Sequence, residues 1–421
     1  MSSETSAQCP FTEYNAAVQQ GEAARTAGSS VLLTAISSMK TIMGAGILTL
    51  SWAFAYSTMW PGVLCTVLMG LMSAHSFWML GRCSDITGKR SYGGIWAFAF
   101  GERLAWVPSL VTFVFCAFSI VSYLIIIGDY LPLSLHGLDL PVVLHRRAAI
   151  LLVALLILPL NLTDDVSFLG YASILGTIGS LYAASVLVVE SVEGRGPPSD
   201  MQSWSLSLGM CVTAPAVTFA FNGHFNAPVL YQSLANHSPA RWGVVTAIAY
   251  GACFLITCAS GISGYYMFGS TLLLPGRSNV FTAPALQGKA EVMVAYLATS
   301  LSVALGIPFY MQSTRGALLE LMQSRGIACG APGKGTRSLS AVCVLATLCA
   351  AMLLTDLGII NAINGAVCAC LIMFVFPSMM YLRCVRGLDA CQGVFHCGLP
   401  IASMAIGLVV GVAGVVTSML L

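Results

Sequence analysis

The chain carries one stretch after another of about 20 mostly apolar residues, the length at which a helix crosses the hydrocarbon layer of a bilayer. In order they fall at about 30–58, 61–82, 106–131, 147–162, 168–190, 206–234, 242–268, 290–314, 338–355, 358–382 and 399–420. Lipid offers no water to a free backbone N–H or C=O, so runs of this length become helices. The prediction is an all-α polytopic membrane protein with about eleven transmembrane helices. The fourth run is short and ends at Pro159, which makes its boundary the loosest. Only 8% of the 421 residues are charged, against roughly 25% in a soluble domain.

Several function classes fall away. The formal net charge is +2 and the basic residues are scattered singly, which argues against a nucleic-acid partner. Most of the fifteen cysteines, Cys65, Cys116 and Cys253 among them, lie inside apolar runs and read as small hydrophobes. Cys368 and Cys370 lack a second pair or nearby histidines, so no metal site is expected. Cys83, Cys384, Cys391 and Cys397 sit near membrane edges, where palmitoylation and plain packing are the two readings. The chain has no nucleotide loop, no G-x-S-x-G and no H-E-x-x-H, so neither an enzyme nor a cofactor is expected. Residues 1–29 are polar without a signal-type apolar core and read as a cytosolic tail.

Orientation follows from lysine and arginine. With the N-terminus inside, twelve of them face the cytosol, five lie in outer loops and Lys40 lies within the membrane. The N-terminus is therefore expected to be cytosolic and, with an odd number of spans, the C-terminus extracytosolic.

Two spans are interrupted. Met39 to Leu48 carries Gly44-Ala45-Gly46 one turn after Lys40, and each glycine costs about 1 kcal/mol of helix propensity relative to alanine. The sixth span holds Asn222, Gly223, His224, Asn226 and Pro228, polar and helix-breaking groups that each need a partner inside the protein. Paired broken helices at corresponding positions point to an inverted-repeat secondary transporter with its site near the midplane. The expected division is a tail (1–29), a first five-helix repeat (30–190), a second, inverted repeat (206–382) and an additional helix (399–420). Thr299, Ser300 and Ser302 in the eighth span offer hydroxyls either to a cation or to their own helix backbone. Asp129 and Asp356 lie near an interface, and Asn361 and Asn364 are expected to pack the tenth span by hydrogen bonding.

Several motifs, weak singly but ordered and spaced alike, carry a family resemblance: Ile42 to Leu48; Ser91-Tyr92 with Ala99-Phe100-Gly101; Val121 to Asp129 followed by Leu131-Pro132; Phe219 to His224 with Asn226 and Tyr231; Gly264-Tyr265 with Phe268-Gly269; Gly365-Ala366 with Pro377. The chain resembles the amino acid/auxin permease family, which includes sodium-coupled neutral, proton-coupled and fungal vacuolar amino acid transporters. The resemblance implies the five-plus-five fold and an amino acid substrate. The carboxylate then suits the N–H groups at the start of the second half of span one, around Gly44, Ala45, Gly46 and Ile47. The ammonium suits carbonyls near Thr41 and from Phe219 to Asn222, and Ser122 in span three belongs to the pocket wall.

Lys40 is the informative departure. The sodium-coupled branch usually has asparagine there, whereas the proton-coupled and vacuolar branches resemble this chain in carrying lysine. A tethered ammonium joining span one to span eight makes sodium unnecessary. A lysine that gives up and regains its proton couples transport to protons; one that stays charged leaves a uniporter or exchanger. His224 is a second proton-carrier candidate. Against these stand a Lys40 that snorkels to the interface and a His224 that is a hydrogen-bonded helix-break residue. The expected function is secondary active transport of L-amino acids, neutral ones because few buried acids are present, at the plasma membrane or an acidic organelle. The alternative is an amino acid sensor with the same fold that moves nothing. Both sequons, Asn161-Leu-Thr163 and Asn236-His-Ser238, face the cytosol in this topology, so glycosidase treatment of cell-expressed protein is expected to leave its mobility unchanged. A shift would reverse the orientation.

Overall fold

The structure, a computed structural model, describes residues 28–137, 145–162, 169–194, 196–324, 334–385 and 394–418. Most of the expected tail, Thr163 of the first sequon and Cys391 lie outside the described residues. The helices are α1 (Val31–Ile42), α2 (Leu50–Ser57), α3 (Met59–Thr87), α4 (Tyr92–Phe100), α5 (Trp106–Gly137), α6 (Arg146–Leu162), α7 (Leu169–Glu193) and α8 (Met210–Ala220). They continue as α9 (Ala227–Ser233), α10 (Pro239–Phe268), α11 (Ala290–Ser324), α12 (Lys334–Leu353), α13 (Leu357–Asn364), α14 (Phe376–Cys384) and α15 (Leu399–Ser418). Among the described residues there is no sheet; an isolated bridge pairs Ser29 with Leu234.

The all-α membrane architecture expected from the apolar runs is present. Among the described residues seven helices are long and apolar enough to cross a bilayer, and α1 with the segment Ala45–Ser57, bent by 49°, makes an eighth. The other expected spans are α6, the α8–α9 pair and the Ser338–Leu353 part of α12, each shorter than that test requires. Helix starts obey ordinary capping: Ser30, Ser238 and Asp356 accept from the N–H of Leu33, Arg241 and Ile359, with Pro239 at the first position of α10. At one rim Lys289 donates to Glu190, and that hydrogen bond raises the lysine's pKa.

Helix α4 lies in a stretch that the hydropathy pattern treats as loop. Ser91 caps it, Tyr92 donates its hydroxyl to Ile372 O at 2.9 Å, and Arg383 Nε donates to Ala99 O at 3.2 Å, so it is strapped to the tenth span. Its nine residues are too few to register as a membrane run.

The eleventh span, α15, repairs a defect in α8. Pro215 has no N–H, which leaves the carbonyl of Cys211 four residues earlier without its helical donor. Thr417 Oγ1, which bonds its own helix at Ala413 O (2.9 Å) and Gly414 O (3.2 Å), also lies within 3.3 Å of that carbonyl, and the close approach needs Gly414, where a Cβ would lie 2.4 Å from the Pro215 ring.

The two broken spans meet backbone to backbone. A Cβ on Gly46 would stand 2.5 Å from Ala220 Cα, and one on Gly223 would meet the backbone of Thr41 and Ile42 at 3.4 Å. Gly46→Val is therefore expected to lower stability by about 1–3 kcal/mol, the cost of overpacking against rigid atoms. Gly251 faces open space, so Gly251→Ala in α10 is expected to be neutral or to raise the melting temperature slightly. Thermal melts of the purified protein compare the two.

Candidate functional site

The site is built from two helix ends that face each other. Helix α1 stops at Ile42: Met43 N donates to Met39 O at 2.7 Å and Gly44 N to Ile42 O at 2.9 Å, leaving the carbonyls of Lys40 and Thr41 past the last i→i+4 bond. After extended Gly44 the chain winds into a 3₁₀ turn, Ala45–Thr49, with no side chain capping it. Its first three N–H groups, on Ala45, Gly46 and Ile47, have no acceptor within their own turn. One end offers carbonyl oxygens and the other N–H groups, with helix dipoles of matching sign. Ala45, Gly46 and Ile47 are buried and Gly44 is half-buried.

The second break differs in detail from the expectation. Phe219 O accepts from Asn222 N at 3.3 Å, and Phe221 O takes the hydroxyls of Ser73 and Tyr250, each at 3.3 Å. These carbonyls are occupied, whereas the Asn222 Nδ2 is buried without a partner. Thr41 Oγ1 bonds back to Ser37 O and Ser38 O at 2.9 Å, so its carbonyl, not its hydroxyl, is available.

Lys40 is 5% exposed and does not snorkel. Its Nζ donates to Ser302 Oγ at 2.8 Å and to Ser302 O at 3.1 Å, and Ser302 Oγ also lies 2.8 Å from Gly176 O. A Cβ on Gly176 would stand 2.6 Å from Nζ, so the ammonium is seated between α7 and α11. Thr299 and Ser300 are not joined to it, and their buried hydroxyls have no partner. His224 points elsewhere: Nε2 lies 2.8 Å from Ser76 Oγ and 3.2 Å from Ser73 O on α3, with Phe77 packed edge-on to the ring. Ser122 Oγ donates to Asn361 Oδ1 at 2.8 Å.

Sequence reasoning missed three contributors. Tyr123 and Tyr310 pack edge to face at 5.3 Å, and a Cβ on Gly44 would meet the Tyr123 hydroxyl at 2.9 Å. With Phe115, Phe219 and Phe225 they form an aromatic wall beside the first break. Tyr123 adjoins Ser122 in the third-span motif, which was a usable signal; Tyr310 and Gly176 offered none, because helix rotation is not readable from apolar runs.

The family model described as transmembrane amino acid transporter protein matches residues 27–415. The chain belongs to that family. Among its relatives, solute carrier family 38 member 8 of Homo sapiens is 26% identical, over 83% of this chain and 84% of its own. Sodium-coupled neutral amino acid transporter 7 of Xenopus laevis is 25% identical, over 81% and 78%. Amino acid transporter AVT1D of Arabidopsis thaliana is 26% identical, over 82% of this chain and 62% of its own. A solved structure of a Na+-coupled sialic acid symporter in its substrate-bound outward-open state covers 98% of this chain and 97% of its own, with a TM-score of 0.56 at 14% identity, which shows a shared fold. The protein is a multi-pass membrane transporter of amino acids and not an enzyme.

In this transporter Asp129, an acid on α5 that could otherwise meet a cationic side chain, is committed. Arg146 Nε donates to its Oδ1 at 3.0 Å while the other guanidinium nitrogens reach Ala351 O and Leu354 O, a clamp across α5, α6 and the end of α12. Asp129→Asn is expected to leave the preference between lysine or arginine and neutral amino acids unchanged in an uptake competition assay, while lowering the melting temperature.

Proposed function

We propose that the protein carries neutral L-amino acids by alternating access and does so without sodium. The observation that carries this reading is the ammonium of Lys40 held by Ser302, which joins the broken first span to the eighth span where a sodium ion would otherwise be needed. The substrate's carboxylate lies on the N–H groups of Ala45, Gly46 and Ile47, and its ammonium lies at the carbonyls of Lys40 and Thr41. Asn222, with a free buried amide, and Phe219 in the aromatic wall complete the contact set. Neutral side chains are favoured because Asp129 is paired with Arg146. The two repeats are residues 30–190 and 206–382, with the N-terminus cytosolic and the C-terminus extracytosolic.

Coupling to protons is assigned to Lys40, whose release from Ser302 would accompany opening of the site, and not to His224, which is bonded to α3. Thr299 and Ser300 stand by as hydroxyls of the same helix.

The test is uptake of a labelled amino acid panel into proteoliposomes with sodium and pH gradients imposed separately. Neutral amino acids are expected to enter equally well in sodium and in choline. Lys40→Ala is expected to lower uptake by about 10–100-fold, the equivalent of losing hydrogen bonds to a charged group. Strict sodium dependence overturns the tethered-cation reading, and saturable binding without flux replaces the transporter by a sensor.

A further inference from the structure

Asn361 lies on α13, outside every segment assigned to the substrate, yet it is fully buried and its amide is used at both ends. Its Oδ1 accepts from Ser122 Oγ on α5 at 2.8 Å, and its Nδ2 donates to Thr49 Oγ1 at 3.4 Å. Thr49 Oγ1 in turn donates to Gly46 O at 3.0 Å. Every donor in this chain points the same way, so each bond polarises the next. Ser122 and Thr49 are both fully buried, so solvent does not compete for any of the three bonds.

The chain ends on a particular peptide. The carbonyl of Gly46 and the N–H of Ile47 belong to one planar amide, and a donor on the oxygen draws charge from the nitrogen. Ile47 N–H is one of the three donors that have no acceptor in the Ala45–Thr49 turn. Thr49 also fixes the pitch of the turn, because its side chain bonds the carbonyl at the turn's own i→i+3 position.

We propose that Asn361 is a positioning residue for carboxylate recognition: through Thr49 it orients and polarises the Gly46–Ile47 peptide, and Ser122 supports Asn361 instead of touching the substrate. This inference rests on the placement of the substrate carboxylate at the Ala45–Thr49 turn. It assigns α13 a part in selectivity that its distance in sequence from the break, with a separation of 312 between Thr49 and Asn361, conceals. Asn364, one turn further on, bonds Phe115 O and lies off the chain.

The test compares L-alanine with L-alaninamide, and L-leucine with L-leucinamide, as inhibitors of neutral amino acid uptake by the full-length reconstituted protein. Ligand-induced thermal shifts in detergent give a second readout of binding. The wild type is expected to prefer acid over amide. Thr49→Val and Asn361→Ala are each expected to cut that preference about tenfold while leaving the amide's inhibition constant within about twofold, the scale of one weakened hydrogen bond to a charged group. Thr49→Ser restores the preference, and the double variant loses no more than either single one. Asn364→Ala is expected to lower the melting temperature and leave the acid-to-amide ratio alone. If Asn361→Ala does not fold, Thr49→Val with its Ser rescue decides the question. A wild type that treats acid and amide alike, or binds neither, overturns the carboxylate placement and this inference with it. A wild type that discriminates while Thr49→Val and Asn361→Ala keep the full ratio overturns the positioning role alone.

Discussion

The structure depends on two stretches of bare backbone pressed together within a membrane protein. Gly46 against Ala220 is a contact that a single Cβ would block, and Gly223 packs against Thr41 and Ile42, where a Cβ would be tight against the Ile42 side chain. Each broken helix leaves N–H and C=O groups that lipid cannot satisfy, at several kcal/mol apiece if left exposed. Bringing the breaks together shields those groups from lipid and concentrates them in one place. The same arrangement that makes two interrupted helices tolerable also leaves N–H groups on one side of the first break and carbonyls on the other.

Lys40 follows the same logic from the charge side. Burying an isolated ammonium costs several kcal/mol even after relaxation, and the usual remedy is a carboxylate. Here the partners are the hydroxyl and the carbonyl of Ser302, with Gly176 alongside. Neutral acceptors hold a charge less tightly than an ion pair would, so this joint between two helices is more readily broken than a salt bridge in the same place. Asp129 and Arg146 show the opposite choice. Their ion pair, extended to two carbonyls at the end of α12, fastens elements together.

Much of this was legible in the chain itself. The apolar runs place most helices to within a few residues, though α11 continues ten residues and α5 six beyond their runs, and Gly44, Gly46 and the Asn222 to His224 cluster locate both breaks, because residues that weaken helices are conspicuous inside apolar sequence. Ser302 was within reach of sequence reasoning only as one of three hydroxyls; which of Thr299, Ser300 and Ser302 meets Lys40 depends on the rotation of α11, and neither hydropathy nor spacing encodes that. Helix α4 escaped because nine residues make no membrane signal, and Tyr310 and Gly176 escaped because a tyrosine or a glycine in an apolar run looks like packing until its neighbour is known. Ser122 was placed in the pocket wall, whereas its hydroxyl is bonded to Asn361.

The bond between Thr417 and Cys211 has a consequence for how the molecule is made. A separation of 206 in sequence lies between the proline-freed carbonyl of α8 and the hydroxyl that approaches it. At ribosomal speeds of roughly 5–20 residues per second, α8 waits about 10–40 s for its partner. During that interval the carbonyl has to borrow a donor from elsewhere in the bilayer or its machinery. The start of α8 around Pro215 therefore takes its final packing only once α15 arrives, and the helix that looks most like an addition is the one that closes it.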